Sequence, residues 1–166
     1  MKRMTLTQIS TFLTILVLLS VSDLQANCQI PCGIYGDEMR IMLLKEHVQT
    51  MEKSMKMIQE LSQDGQKNYN QLVRWINNKE HHAREIQNIV DAYFLTQRVK
   101  PVSEDKKAEF QAYSQKVVTL HQMLVYAMKA KQSTDLEHCV KLNQLIDTFS
   151  GQYFSAEDLE HLKGHK

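Results

Sequence analysis

The stretch DEMRIMLLKEHVQTMEKSMKMIQELSQDG, residues 37–65, contains the clearest fold signal in the sequence. Its apolar side chains recur at alternating intervals of three and four residues, at Ile41, Leu44, Val48, Met51, Met55 and Ile58. This spacing places them on one face of a helix that packs against a partner helix. The methionines of such a stripe are expected in the core rather than around a cofactor. Asp64 and Gly65 predict the end of the helix.

Three further amphipathic segments follow this first helix. The second carries a stripe that Lys79 interrupts, and it must end before Pro101 because proline disfavours a helical residue in front of it. Its apolar members are Leu72, Ile76, Ala83, Ile86, Val90 and Tyr93. Ser103 is the predicted cap of the third helix. The stripe of that helix is Phe110, Tyr113, Val117, Leu120 and Leu124.

The fourth segment has clear start and stop signals. A capping box at residues 134–137, TDLE, predicts its first turn, and Gly151 predicts its end. Its expected core residues are Leu136, Val140, Ile146 and Phe149. A short final helix is predicted from Ser155, through Leu159 and Leu162, to Gly164.

Four amphipathic helices joined by short turns predict an all-α fold, a four-helix bundle with an apolar centre over residues 37–166. With 5 glycines and 2 prolines, the composition disfavours a loop-rich or sandwich architecture. The 20 basic and 19 acidic residues nearly balance, so neither a nucleic acid nor an anionic membrane surface is an expected partner.

Residues 1–26 have the pattern of a cleaved targeting segment. Lys2 and Arg3 precede an apolar run over residues 9–21 that is short for a membrane span, and Ala26 is a suitable residue for cleavage. An uncleaved membrane anchor is the alternative. Cleavage predicts an exported chain, periplasmic or secreted, without a stable membrane anchor. The remaining 140 residues carry 18 basic and 18 acidic groups, so attraction of an anion would depend on local placement.

Residues 27–36 do not fit the bundle, and they contain two of the three cysteines. Cleavage after Ala26 makes Cys28 the second residue of the chain. A metal ion bound by its thiolate can also take its backbone nitrogen and the amine of Asn27, each closing a five-membered ring. The thiolate of Cys32 completes an N2S2 plane, which suits nickel(II) or copper(II) better than tetrahedral zinc. A Cys28–Cys32 disulfide or two inert free thiols are the alternatives.

The stretch NCQIPCGIY, residues 27–35, resembles the nickel hook of nickel superoxide dismutases, H-C-x-x-P-C-G-x-Y. Residues 79–83, KEHHA, and 93–101, YFLTQRVKP, are similar to that family's second helix and its end. The resemblance implies a nickel ion as cofactor and superoxide as substrate. It also implies that the nickel ion cycles between nickel(II) and nickel(III) during the reaction. It also implies a homohexamer of four-helix bundles.

Carried over by position, the resemblance implies specific roles within the hook. Asn27 would supply its terminal amine, Cys28 an amide nitrogen and a thiolate, and Cys32 the second thiolate. Tyr35 would stand beside the open face of the metal and help to place superoxide. Cys28, Cys32 and Tyr35 are therefore the candidate catalytic residues, and Asn27, Cys28 and Cys32 the candidate metal ligands.

The sequence departs from the family pattern at the first hook position, where Asn27 replaces the histidine that binds the axial position of oxidised nickel. Leu43 and Asn78 stand where some members hold that histidine with a glutamate and an arginine. Nickel binding is expected to persist with slower turnover. The alternatives are a non-catalytic nickel- or copper-binding member of the fold, and a structural bundle with a Cys28–Cys32 disulfide.

The remaining candidates are predicted to be structural. Cys139 has the pattern of a small buried residue, and Trp75 that of a packing residue. The helical histidines are expected at the surface rather than in a metal site, since neighbouring residues on a helix point in different directions. They are His47, His81, His82, His121 and His138.

Overall fold

The computed structural model describes residues 36–159. They form four long helices, α1 (Asp37–Leu61), α2 (Gly65–Asn88), α3 (Lys107–Gln132) and α4 (Glu137–Tyr153). A 3₁₀ turn, Ser62–Asp64, joins α1 to α2, and a π-helix, Ile89–Arg98, continues α2. The predicted all-α four-helix bundle is confirmed. The predictions for residues 1–35 and 160–166 lie outside the described residues.

Neighbouring helices of the bundle run antiparallel. Helix α1 packs mainly against α2, α3 packs against α4, and the contacts of α2 with α3 and of α1 with α4 close the ring. The amide of Asn78 donates to the Ser54 hydroxyl at 2.9 Å, and His82 lies 2.9 Å from His47. The residue numbers therefore rise along α2 as they fall along α1. This up-and-down order brings the start of α1 and the end of α4 to one end of the bundle.

The stripe of α1 is fully confirmed as core. All six of its predicted members are buried, and Met51 and Met55 have no exposed surface. The thiol of Cys139 lies 3.7 Å from the Met55 sulfur, and Cys139 is buried as predicted. Met55 thus fills space between α1 and α4, as flexible apolar side chains commonly do.

The stripe of α2 is correct only in its second half. Ala83, Ile86, Val90 and Tyr93 are buried, but Ile76 is 41% exposed and Leu72 is half-buried. Leu72 and Ile76 are less buried because α3 ends beside Lys79, where its last carbonyls accept hydrogen bonds from the Lys79 ammonium group. The earlier turns of α2 therefore extend past α3 and have less of the bundle to pack against.

Lys79 does not break the stripe, because its side chain is only 4% exposed. Its ammonium group donates to the carbonyls of Ala130, Lys131 and Ser133 at 3.0, 2.5 and 3.0 Å. The last carbonyls of a helix have no partner within the helix, and they carry its negative end. Lys79 satisfies them while its aliphatic stem packs in the core, which a periodicity argument counts as a polar interruption.

The predicted start of α3 is wrong. Ser103 does not cap the helix: its hydroxyl binds the carboxylate of Asp105, and its carbonyl accepts the Lys106 N–H in a turn. Helix α3 begins only at Lys107. Its buried residues are Thr119, Leu120, Met123, Ala127 and Ala130. Of the predicted stripe, Leu120 is buried and the other four members are half-buried at its edge.

The capping box predicted for α4 does not form. The Asp135 carboxylate, rather than the Thr134 hydroxyl, accepts the Glu137 N–H at 3.0 Å. Ile146 and Phe149 are buried as predicted and Leu136 is half-buried, whereas Val140 is 47% exposed. Val140 follows Cys139 and is turned from it by about 100° around the helix axis, away from the core.

Helix α4 also continues past its predicted end at Gly151. The rings of Phe149 and Tyr153 stack at 5.2 Å, and this packing carries the helix to Tyr153. The final helix has its predicted start, since the Ser155 N–H and hydroxyl both donate to Asp158 and residues 156–159 are helical. Its remainder lies outside the described residues. Within residues 36–159 no helix is long and apolar enough to cross a membrane.

Candidate functional site

The predicted metal ligands Asn27, Cys28 and Cys32, and the predicted neighbour Tyr35, lie outside the described residues. Description begins at Gly36, which directly follows Tyr35 in the chain. The structure therefore shows the end of the bundle to which the predicted hook is joined. In residues 36–159 no group of three or more histidine, cysteine or acidic side chains is placed to hold a metal ion.

Asp37, two residues after Tyr35, is the centre of a polar cluster at this end of the bundle. Its carboxylate accepts hydrogen bonds from the hydroxyl of Tyr93 and, at 2.6 Å, from the hydroxyl of Tyr153. The Arg98 guanidinium donates to it through two nitrogens, at 2.5 and 3.1 Å. We call these four residues the Asp37 cluster. It joins the first residue of α1 to the π-helix and to the last residue of α4.

The charge of the Asp37 carboxylate is stabilised by its three hydrogen-bonding partners. Partial burial raises the pKa of Asp37, but hydrogen bonds from Arg98, Tyr153 and Tyr93 outweigh that effect and leave the pKa below its ordinary value. Burial and the bond to Asp37 raise the pKa of Tyr93 to about 12, and they raise the pKa of Tyr153 as well. At neutral pH the carboxylate is thus ionised and both phenols keep their protons, so every bond of the cluster has its donor.

The π-helix explains how Tyr93 and Arg98 both reach Asp37. In an α-helix, residues five apart lie about 140° apart around the axis. The i to i+5 bonding of a π-helix widens the turn and brings them closer to one face. The Val99 N–H donates to the Phe94 carbonyl at 2.8 Å, and the side chain of Thr96 donates to the Asp91 carbonyl at 2.8 Å.

The Asp37 cluster was not predicted from the sequence. The sequence marks Asp37 only as the start of a helix, and it marks Tyr93 and Arg98 only as members of the stretch 93–101 that resembles the family, with Tyr93 also in the apolar stripe. The available signal was an acidic residue directly after the hook. Its partners are 56, 61 and 116 residues away in the chain, which no local pattern connects.

An open groove of about 270 Å³ adjoins the cluster at Arg98 and Tyr153. Lys100, Lys116 and Arg98 line it, against the single carboxylate of Glu109. The Lys116 ammonium lies 5.8 Å from the centre of the Tyr153 ring. The balanced net charge therefore conceals a locally positive region beside the Asp37 cluster.

The helical histidines are only partly as predicted. His81 and His121 are exposed, but His47 and His82 are half-buried and lie side by side between α1 and α2. His138 is half-buried against the ring of Tyr126 at 6.1 Å.

Trp75 is half-buried with the Lys53 ammonium 5.9 Å from its ring centre, consistent with the predicted packing role. Cys139 is the free cysteine of the described residues. Burial raises the pKa of its thiol to about 11, so it is an inert core residue rather than a ligand.

Comparison with protein families gives a match to the model of nickel-containing superoxide dismutase over residues 22–157. The matched range includes the nine hook residues and all four helices of the bundle. Comparisons with curated proteins and with solved structures returned no match. The resemblance noted in residues 27–35 and 79–101 is thereby confirmed, and nickel is the cofactor that it implies. This chain belongs to the family of nickel-containing superoxide dismutases.

Proposed function

We propose that this chain is an active superoxide dismutase, which converts two superoxide ions and two protons to dioxygen and hydrogen peroxide. The observation that carries the proposal is the family match over residues 22–157, because it includes the hook as well as the bundle. Among residues 36–159 no group of three or more histidine, cysteine or acidic side chains could replace the donors of the hook.

The donors available in residues 27–35 fit nickel. Two thiolates, from Cys28 and Cys32, would combine with the Cys28 amide nitrogen and the Asn27 amine. Nickel(II) accepts such a square-planar set of nitrogen and sulfur donors. When bound, nickel supplies the one-electron exchange that disproportionation requires. The two thiolates and the amide nitrogen, as strong donors, would stabilise the oxidised state that this exchange needs.

The bundle would serve this chemistry by holding the chain firmly where the hook ends. The Asp37 carboxylate accepts hydrogen bonds from three residues of two other elements. The position of the chain two residues after Tyr35 is therefore fixed. The Tyr35 side chain would then place superoxide and water at the hook. Lys100 and Lys116 would raise the local concentration of an anionic substrate, even though the net charge after cleavage is zero.

Asn27 limits the rate in this proposal. An amide side chain is a poor donor to an oxidised metal ion, whereas the four planar donors do not depend on the side chain of residue 27. We expect tight nickel binding with slower turnover than in an Asn27→His variant. The same observation favours one second candidate function, a non-catalytic nickel- or copper-binding protein.

The decisive experiment measures superoxide disproportionation by nickel-loaded protein whose N-terminus is verified as Asn27. The matched control is Cys28→Ser, which removes one thiolate and leaves the bundle unchanged. Activity that is present in the parent and lost in the control supports the enzyme. Nickel binding through the hook, seen as one ion per chain fewer in the control, with equal, negligible rates in both proteins would reject it in favour of the binding protein.

Mass spectrometry of the unreduced protein tests the remaining alternative. A Cys28–Cys32 disulfide lowers the mass by two hydrogens and removes both thiolate ligands. Finding that mass in protein isolated without reductant, with no bound nickel, would make the chain a structural bundle.

Export and assembly complete the proposal. Cleavage after Ala26, with delivery to the periplasm or outside the cell, would create the Asn27 amine. Sequencing of the N-terminus of the native protein tests this step, because cleavage one residue earlier would make Cys28 the third residue and prevent the two-ring chelate. A homohexamer, the expectation from the family, is tested by the molar mass in solution.

A further inference from the structure

His47 of α1 and His82 of α2 face each other with their Nδ1 atoms 2.9 Å apart. Their ring centres are 5.1 Å apart, and the planes are tilted by 50°. Both side chains are half-buried, so each is held by its neighbours while solvent still reaches the pair. With neutral rings, one Nδ1–H donates to the lone pair of the other Nδ1.

The same separation suits two ligands of a single metal ion once the rings rotate, because ring centres 5.1 Å apart leave the two lone pairs pointing nearly along the Nδ1–Nδ1 line, and each ring must turn for them to converge on an ion. At metal–nitrogen bonds of about 2.1 Å, nitrogens 2.9 Å apart subtend about 90° at the ion. That angle belongs to neighbouring positions of an octahedron or a square plane, which nickel(II) and copper(II) adopt. It is smaller than the tetrahedral angle that zinc(II) prefers.

The surroundings of the pair keep both rings neutral, with their lone pairs available, and place two carboxylates near them. Burial, followed by the charges of neighbouring histidines, lowers the pKa of both His47 and His82, so both rings are neutral at pH 7. The carboxylates of Glu46 and Glu85 act on both rings in the opposite sense. His81, whose ring centre lies 5.2 Å from that of His82, is the remaining titratable neighbour.

We propose that His47 and His82 form a second metal site of this chain, an interhelical chelate for nickel(II) or copper(II) that water completes. Binding moves the bridging proton to the Nε2 atom of the same ring, so both Nδ1 lone pairs bind the ion and no net proton is released at neutral pH. The site is independent of the predicted hook, because it uses side chains of α1 and α2 alone.

The site is tested by titration of nickel(II) into protein that carries Cys28→Ser and Cys32→Ser, which removes both hook thiolates. We expect one ion to bind per chain. Loss of a group that merely supports a metal ligand costs about 10- to 100-fold in affinity. His47→Gln and His82→Gln should each weaken binding at least as much, whereas His81→Gln and His121→Gln should leave it within about twofold.

Copper(II) added to the same protein with Cys28→Ser and Cys32→Ser provides a test that needs no histidine variant. Its electron paramagnetic resonance spectrum should show nitrogen couplings from two imidazoles. Absence of saturable nickel binding, binding that survives both His47→Gln and His82→Gln, or a copper spectrum without two imidazoles would each overturn the proposal. Circular dichroism confirms that each variant remains helical.

Discussion

Replacing Asp37 by asparagine tests the central contact of the Asp37 cluster with almost no change of shape. The variant removes the negative charge and turns one acceptor oxygen into an NH₂ group that faces donors. Arg98 then loses its charged partner, and only one carbonyl oxygen remains to accept from Tyr93 and Tyr153. The chain directly after the hook is therefore held less firmly.

The cost follows from the exposure of the partners. A hydrogen bond to a charged group contributes about 1.5–3 kcal/mol when it is shielded from water. The Asp37 side chain is 15% exposed, but that of Arg98 is 41% exposed, so the ion pair belongs with surface pairs of about 0–1 kcal/mol. With one phenol bond retained, Asp37→Asn should destabilise the bundle by about 2 kcal/mol, equivalent to about 6 °C in melting temperature.

The pH dependence of this loss has a definite sign. The pKa of Asp37 is lower in the folded protein than its unfolded value of about 3.9. Its stabilisation is therefore complete above that unfolded value and disappears as the pH falls through the folded value. The difference between the parent and Asp37→Asn should be constant from about pH 5 to pH 8 and should shrink toward pH 2.

Thermal unfolding followed by circular dichroism at pH 7 and in acid measures both quantities. Asp91→Asn is the matched control, because Asp91 is exposed and its substitution should change stability by less than about 0.5 kcal/mol. Combining Asp37→Asn with Tyr153→Phe should cost less than the sum of the two changes, since both remove the same bond. Equal melting temperatures of parent and Asp37→Asn at pH 7, or a difference that persists undiminished in acid, would refute the reasoning.

Three further predictions concern the bundle itself. Lys79→Met keeps the buried stem but leaves three carbonyls at the end of α3 without their donor, so it should lower the free energy of unfolding in urea by about 2 kcal/mol. A loss below about 0.5 kcal/mol, the level of a surface change, would contradict the capping role. Phe94→Ala empties a fully buried site and should lower the stability of the fold by about 3–5 kcal/mol, whereas Val140→Ala on the exposed face of α4 should lower it by less than about 1 kcal/mol. Equal losses of stability in thermal unfolding would show that the two burial assignments are wrong. Cys139, with a pKa raised to about 11 and 1% exposure, should react with a thiol reagent at pH 8 only after denaturation, and fast modification in the native protein would disprove its burial.

The helical class and the position of the first core face were determined by the sequence alone. The stripe from Ile41 to Ile58 has a period that only a helix can turn to one side, and all of its members are buried. Donor types and spacing in residues 27–35 predicted a site for nickel or copper or else a disulfide, the resemblance to the family favoured nickel, and the family match agrees with that resemblance. These are local patterns, so they can be recognised in the sequence without knowing which helices are neighbours.

The caps, the edges of the core and the Asp37 cluster were decided by the tertiary structure. Ser103 and Thr134 had suitable side chains for capping, but Asp105 and Asp135 compete for the same turns. Lys79 is buried because α3 ends against it, which depends on the length of a helix elsewhere in the chain.

Long-range polar contacts show the same limit most clearly. The pairing of His47 with His82 and the convergence of Tyr93, Arg98 and Tyr153 on Asp37 join residues 35 to 116 positions apart. Hydrogen bonds of this kind have no sequence period, because their partners are chosen by the register of packed helices and by the wider turn of the π-helix. Hydrophobic periodicity thus determined which helix faces are apolar, and the packing of those faces decided which polar groups meet.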